Sequence, residues 1–221
     1  MYCFGSTIMA TQYPQFILDN GKHCILPRPY HKSKPGNTGF ELMMQPWFRS
    51  FVADIESAVL YFLDNLLPDQ ELQQKIKKII YYSKKYVPFE CRIGGSFFTH
   101  MSAIGKLKDR GEVPVHFDEK DIITTLVHLG EVKRGGSTQY FDGNTIKKVG
   151  NMVYQIPFRH GQIQIGCFND TLHRAESWSG NRGCLNFNLK QNVVDHFKTY
   201  RMRYFASYRR NKYPQGIFFA T

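Results

Sequence analysis

Between residues 46 and 67, apolar side chains recur at helical spacing. In PWFRSFVADIESAVLYFLDNLL, Phe48, Phe51, Val52, Ile55, Val59, Phe62 and Leu63 return every three or four positions and form one stripe. Pro46 suits a first helical turn, and Pro68 stops the run. The spacing in DQELQQKIKKIIYYSKKY predicts a second amphipathic helix over 69–86, with Asp69 as N-cap and with acids early and lysines late, as the helix dipole favours. From residue 88 the character changes. Short β-rich pieces at 94–105, 121–130, 137–143, 151–158, 162–168, 172–178 and 183–190 are separated by Gly, Asn and Asp, and FDGN and WSGN read as hairpin turns. A helical pattern, NVVDHFKTYRMRYFASYRR, follows.

Strands at such short intervals argue for a sandwich or jelly roll, with the helices packed against one of its sheets. The expected class is α+β, mainly β, in a single domain over 1–221. Its parts are a loop-rich segment at 1–45, supporting helices at 46–90, a β core at 91–190, and a C-terminal helix and tail at 191–221. Within the first part, RPYHKSKPGNTG (28–39) reads as a loop.

Composition narrows the classes. Among 221 residues, 42% hydrophobic and 15% aromatic content is that of a folded globular chain. No run approaches the roughly 18–20 apolar residues of a membrane span, and MYCFGSTIMATQYPQ lacks the regions of a secretory signal. The expectation is an intracellular protein, nuclear or cytoplasmic, without membrane contact and monomeric. Cys3, Cys24, Cys91, Cys167 and Cys184 are odd in number and fit no CxxC zinc pattern, which points to free thiols in a reducing compartment.

A net charge of +11 favours a polyanionic partner, nucleic acid first. From Lys190, the basic residues Lys198, Arg201, Arg203, Arg209, Arg210 and Lys212 are interleaved with Phe197, Tyr200, Tyr204, Phe205 and Tyr208. That mixture suits phosphates and bases. It equally suits an amphipathic helix that packs Val194, Phe197, Tyr204 and Tyr208 on the β core and turns its charges to water. The stretches GKLKDRGE (105–112) and GEVKRGG (130–136) read as basic loops, either steering an anionic substrate or forming solvated hairpin tips.

Candidate chemistry lies in VPVHFDEKD (113–121), where His116 and Asp118 are two apart and share a side if the segment is extended. In DTLHRAESWSGNRG (170–183), His173 opens one strand and Arg182 the next, after the SGN turn. Paired as a hairpin, the two reach one cavity. Arg182, Cys184, Asn186 and Asn188 then share a face too polar for an inner strand unless a ligand supplies partners. Two histidines and a carboxylate with open positions form the facial triad of non-haem Fe(II) oxygenases. A guanidinium fits the distal carboxylate of 2-oxoglutarate as a bidentate pair.

Other sets compete. The same His₂Asp group plus water is an acceptable zinc site, although zinc leaves Arg182 without a role. Cys184 and His173, with Glu176, offer a nucleophile and base, but nothing positions an oxyanion hole. His128 in LVHLG reads as a satisfied core or edge histidine. His100 in FFTHMS either borders the cavity or faces outward. His23, His31, His160 and His196 fall in loop or helix-surface contexts.

HFD (116–118), His173 and Arg182, in this order, resemble the HxD…H…R/K signature of Fe(II)/2-oxoglutarate-dependent dioxygenases built on a double-stranded β-helix. The distal histidine follows by 57 residues (173 minus 116), a separation usual in compact members. The likeness covers about 94–190. GGSTQYFDG resembles the GG-containing strand of this superfamily, and IPFRHGQIQIGCF the strand, turn and strand before its distal histidine. Within the superfamily the chain is similar to TET/JBP-like nucleic-acid base dioxygenases. It is also similar to prolyl-4-hydroxylase-like domains, whose basic residue after the distal histidine is more often lysine. Residues 1–90 match neither pattern.

The resemblance implies a double-stranded β-helix (jelly roll) in which His116, Asp118 and His173 ligate Fe(II) and Arg182 anchors the C5 carboxylate of 2-oxoglutarate. O₂ is the further co-substrate and ascorbate an accessory reductant. The implied reaction couples oxidative decarboxylation of 2-oxoglutarate to succinate and CO₂ with hydroxylation of a C–H bond, on a methylated pyrimidine of nucleic acid first. The alternatives are hydroxylation of a prolyl or other protein side chain, and a β-barrel binding module that has lost activity.

Overall fold

The computed structural model describes residues 45–87, 89, 92–106, 111–118, 121–143 and 145–200, with backbone alone at 2–5, 16–17 and 23–24. The loop expected at 28–39, Cys91, residues 107–110 of GKLKDRGE, and the basic and aromatic residues from Arg201 onward lie outside these residues. The strands are β1 (Tyr2–Gly5), β2 (Phe16–Ile17), β3 (His23–Cys24), β4 (His100–Lys106), β5 (Gly111–His116), β6 (Asp121–Gly135), β7 (Thr138–Phe141), β8 (Met152–Ile156), β9 (Ile163–Gly166) and β10 (Leu172–Lys190). The helices are α1 (Pro46–Asn65), α2 (Gln70–Tyr86) and α3 (Gln191–Tyr200).

The helices form as the apolar period dictates. Phe48, Val52, Ile55, Val59 and Leu63 are the buried stripe of α1, and Ile76, Ile79 and Ile80 that of α2. Asp69 caps α2 by accepting the Leu72 N–H at 2.9 Å. In α3, Val193, Val194 and Phe197 are buried in the same core, and Lys198 Nζ lies 4.4 Å from the centre of the Tyr82 ring. The packing reading of these positions therefore holds for Val194 and Phe197. Among the described residues, no helix is long and apolar enough to cross a membrane.

The protein is a mixed α/β structure whose main sheet is antiparallel and eight-stranded. β10 is its spine. The C-terminal part of β10 lies between β4 and β6, which carry β1 and β9 at their outer edges, giving the order β1-β4-β10-β6-β9. Its N-terminal part pairs with β5 and β7, and β7 pairs with β8. Among the described residues no pairing joins the outermost strands, so the sheet is not closed into a barrel.

β10 corrects a sequence expectation. WSGN is not a hairpin turn between two strands, because Leu172–Lys190 is continuous. The ladder to β6 persists from Trp178 to Lys190, with a register shift between Ser179 and Gly180. The shift leaves Lys133 of β6 as the extra residue, and such a bulge bends the ladder without ending it. Gly180 has φ +100°, and a Cβ there meets the Glu131 carbonyl oxygen at 2.6 Å. For the same reason GEVKRGG is not a loop but the far end of β6. FDGN begins a longer connection, in which the Asp142 N–H donates to the Asn151 carbonyl at 2.9 Å. The piece expected as a strand from 94 opens instead with a 3₁₀ turn at Ile93–Gly95, before β4.

Alternation along the strands divides two environments. Met101, Ile123, Val127, Leu185, Phe187 and Leu189 face the helices and form the main core with them. The opposite face turns toward β7 and Phe168, where Leu126, Tyr140, Phe168, Cys184 and Ile156 form a smaller cluster. The Tyr140 hydroxyl and Gln164 Oε1, 3.3 Å apart, also link the two parts.

Candidate metal centre and the polar face around it

His116 ends β5, and Asp118 lies two residues beyond the strand rather than within it. The Asp118 N–H donates to the Phe168 carbonyl, and the Asp121 N–H to the Asp118 carbonyl, both at 3.1 Å. These bonds bring Asp118 back to the side of His116. His173, near the start of β10, stands directly opposite His116 in the β5–β10 register. The ligand atoms of His116, Asp118 and His173 all lie within 4.8 Å of one another.

The two imidazoles are oriented alike. His116 Nδ1 is 2.7 Å from the Pro114 carbonyl and His173 Nδ1 is 2.9 Å from the Thr171 carbonyl. A carbonyl only accepts, so each Nδ1–H donates there and each Nε2 is left on the side of Asp118. Those Nε2 atoms stand 3.6 and 3.7 Å from the two Asp118 oxygens. The two Nε2 atoms and the two Asp118 oxygens make a donor set that fits a metal ion. Burial holds His173 below the ordinary histidine range, with the Asp118 charge pulling the other way.

Sequence-adjacent logic placed His173 and Arg182 on facing strands. They are instead on one strand, His173 beside Tyr140 and Arg182 on the face of Cys184. The Asp118 and Arg182 charges both reach the Cys184 thiol. Tyr140 stands opposite His173 in register, with Phe168 close to both rings at 5.7 and 4.9 Å. Cys184 itself is pushed up to about 12 by burial, and its thiol donates to Asn186 Oδ1 at 2.9 Å. A buried, protonated thiol is inert as a nucleophile, which removes the basis for a hydrolytic cysteine.

Arg182 is 6% exposed, and its Nε–H donates to the Gly136 carbonyl at 3.2 Å. Its guanidinium lies against the Trp178 and Phe158 rings, 4.9 and 5.5 Å from their centres. Among the described residues, no carboxylate comes within ion-pair distance of it. A buried cation without a counter-ion is costly, so this one is poised for an anion.

His128 was missed. It is in the core, as its apolar run predicts, but it is not satisfied. The ring is 0% exposed, and neither nitrogen has a partner among the described residues. It stands opposite Cys184, with the Phe158 ring 5.2 Å away, and burial followed by the Arg182 charge pushes it down to about 4. Trp178 Nε1 is likewise buried without a partner. The available signal was the alternation in DIITTLVHLG, which puts Thr124, Leu126 and His128 on one face.

At the metal end, His100, Asn188 and Thr124 stand abreast across β4, β10 and β6. The Thr124 hydroxyl is 3.5 Å from Asp118 Oδ2. Asp121, 1% exposed, is held by Asn188 Nδ2 and by Lys190 Nζ at 2.5 Å. Burial pushes the Asp121 carboxyl up to about 6 despite Lys190. His100 is pushed down to about 3 by burial and then by Lys190. His160 is at the surface, where its Nδ1 accepts the Gly130 N–H.

Compared with known proteins, the chain matches no family model and no curated protein. Fold and site together define a mixed α/β protein with a His-Asp-His group able to hold a metal ion. Its chemistry is read from its own residues.

Proposed function

We propose that the chain is an Fe(II)- and 2-oxoglutarate-dependent dioxygenase on a double-stranded β-helix. One observation carries the reading: two Nδ1-tethered histidines and a carboxylate converge, and the same strand carries a buried arginine that has no acid among the described residues and whose charge, like that of Asp118, reaches Cys184. Zinc accounts for the first three residues and leaves the arginine idle. The winding supports the fold. The chain enters one part of the sheet as β4, the other as β5, returns as β6, crosses for β7 and β8, and returns as β9. It then runs through both parts as β10, an alternation between two sheet parts that a jelly roll also makes.

His116, Asp118 and His173 would hold the iron. Arg182 takes the distal carboxylate of 2-oxoglutarate, with the Phe158 and Trp178 rings excluding water from the pair. When bound, iron and 2-oxoglutarate supply the oxidising power that inserts an oxygen atom into a C–H bond, with O₂ consumed and ascorbate keeping the iron reduced. The chain's own task is to position that bond and exclude side reactions. The substrate is a nucleic-acid base, a methylated pyrimidine first, turned out of any duplex to reach the metal. The net charge of +11 favours this over a protein substrate.

Succinate release from 2-oxoglutarate tests the reading when methylated oligonucleotides and proline-rich peptides are compared. Stimulation by the oligonucleotides is expected. Stimulation by peptides alone assigns the chain to protein hydroxylation, and no succinate under any condition removes the dioxygenase assignment.

A further inference from the structure

The outer face of α2 carries charge that the fold does not use. Lys78, Tyr81 and Lys85 recur every three or four positions on the side away from the buried Ile76, Ile79 and Ile80, and all three are exposed. Beside them Tyr82 and Tyr86 are half-buried and pack against the main core. The Tyr81, Tyr82 and Tyr86 rings follow one another with 5.7 Å between successive centres. Lys85 Nζ donates to the Tyr81 hydroxyl at 3.0 Å and lies 5.2 and 5.5 Å from the centres of the Tyr81 and Tyr86 rings. From α3, Lys198 Nζ reaches across to the Tyr82 ring.

A ring holds an ammonium without cancelling its net charge, whereas a carboxylate cancels it. The two kinds of partner divide the lysines of this region. Lys77 pairs with Asp64 at 2.5 Å and Lys84 with Glu56, both acids belonging to α1. The Lys75 charge reaches Cys167, where that of Asp170 opposes it. Lys78, Lys85 and Lys198 have no acid within ion-pair distance among the described residues. Asp195, the acid of α3, accepts from Gln191 Nε2 at 2.9 Å instead. Lys85 and Lys198 are thus positioned by rings and keep their full charge. Lys78 adds a third charge about 10 Å from Lys85 along the helix.

We propose that this face of α2 and α3 binds the phosphate backbone of nucleic acid, at a place separate from the metal group. The helices cover one side of the main sheet, and the cluster that adjoins His173 lies on the other. A phosphodiester chain carries regularly repeated charges, which lysines spread along a helix meet one by one. An anionic membrane also attracts lysines, but a helix that binds it sinks an apolar face into the lipid. The apolar face of α2 is already buried in the core. Phosphate contacts carry no sequence information, so this face tethers the chain and leaves the choice of base to another part of the molecule. The inference goes beyond the dioxygenase reading and needs neither metal nor 2-oxoglutarate.

Fluorescence anisotropy of the full chain, without metal or 2-oxoglutarate, tests it between about 50 and 200 mM salt. The probes are unmethylated oligonucleotides of arbitrary sequence, single-stranded and duplex. In the triple variant Lys78→Gln, Lys85→Gln, Lys198→Gln, binding is expected to weaken by at least about tenfold at the lower salt. The slope of log affinity against log salt is expected to shrink by about 2–3. The double variant Lys77→Gln, Asp64→Asn removes a pair that already cancels, and it should bind as the parent does. Parent-like affinity and slope in the triple variant overturn the proposal, and so does an equal loss in the double variant. Phosphatidylserine vesicles or a polyglutamate peptide that bind while no oligonucleotide does overturn it as well. Oligonucleotide binding that depends on the three lysines, together with no succinate release under any condition, removes the dioxygenase reading and leaves this one standing.

Discussion

The two faces of β10 make opposite contributions. Leu185, Phe187 and Leu189 point toward the helices, and Phe187 and Leu189 are 0% exposed in an apolar core. The buried Ser83 hydroxyl on that side donates to the Phe97 carbonyl at 2.7 Å, although the Thr125 hydroxyl has no partner among the described residues. Arg182, Cys184, Asn186 and Asn188 point the other way. There His128, Trp178 and Asn188 keep polar atoms without partners among the described residues. Each such atom lowers stability by about 1–3 kcal/mol until something binds it. One face of a single strand thus holds the fold together, while the other keeps unmet hydrogen-bonding capacity among the described residues.

Substitutions on the two faces should therefore behave in opposite ways. Phe187→Ala removes a ring that packs on Phe98 and Phe51 at 5.5 and 6.1 Å, and stability should fall by about 3–5 kcal/mol in denaturant titration. The protein still folded should bind Fe(II) normally. Arg182→Met should show the reverse. Calorimetry should find 2-oxoglutarate binding weaker by about 2–5 kcal/mol, and the ligand-free protein more stable by about 0.5–2 kcal/mol. A loss of stability in Arg182→Met would place that arginine on the structural side of the comparison.

His128→Leu sharpens it further through pH. The folded state holds His128 down to about 4, whereas the unfolded chain protonates it near 6.5. Between those values the unfolded state binds more protons, so this group's contribution to stability falls as pH drops from 6.5 toward 4. The full loss is on the order of 3 kcal/mol. Asp121, pushed up to about 6, acts in the opposite sense over part of that range, so the difference between parent and variant isolates His128. In thermal unfolding, the stability of the parent relative to His128→Leu should fall as pH drops from 7 to 4. The smallest effect is expected for Thr124→Val, which removes a hydroxyl 3.5 Å from Asp118. Metal affinity should weaken by about 10-fold, and no more than about 100-fold, with stability almost unchanged.

Local periodicity made the helices legible. The 3.6-residue stripe of α1 and the Asp69 cap of α2 are properties of neighbouring residues, and both stand as expected. The identities in the His116, Asp118 and His173 group were legible too, because the residue types are chemically distinctive. The continuity of β10 was not. Gly180 and Asn181 signal a turn locally, but the pairing of β10 with β6 continues through them as a bulge. That ladder is non-local, and no window of sequence around WSGN contains it. The same limit hid His128. Its apolar neighbours announced burial, whereas its lack of partners depends on Cys184 and Phe158, which are remote in sequence.

Anaerobic titration with Fe(II) and then 2-oxoglutarate tests most directly whether the polar face is a metal and co-substrate site. A weak visible charge-transfer band is expected for the parent. It should be absent in His116→Ala and should need much more 2-oxoglutarate in Arg182→Met. No band in the parent, or the same band in His116→Ala, would contradict the assignment.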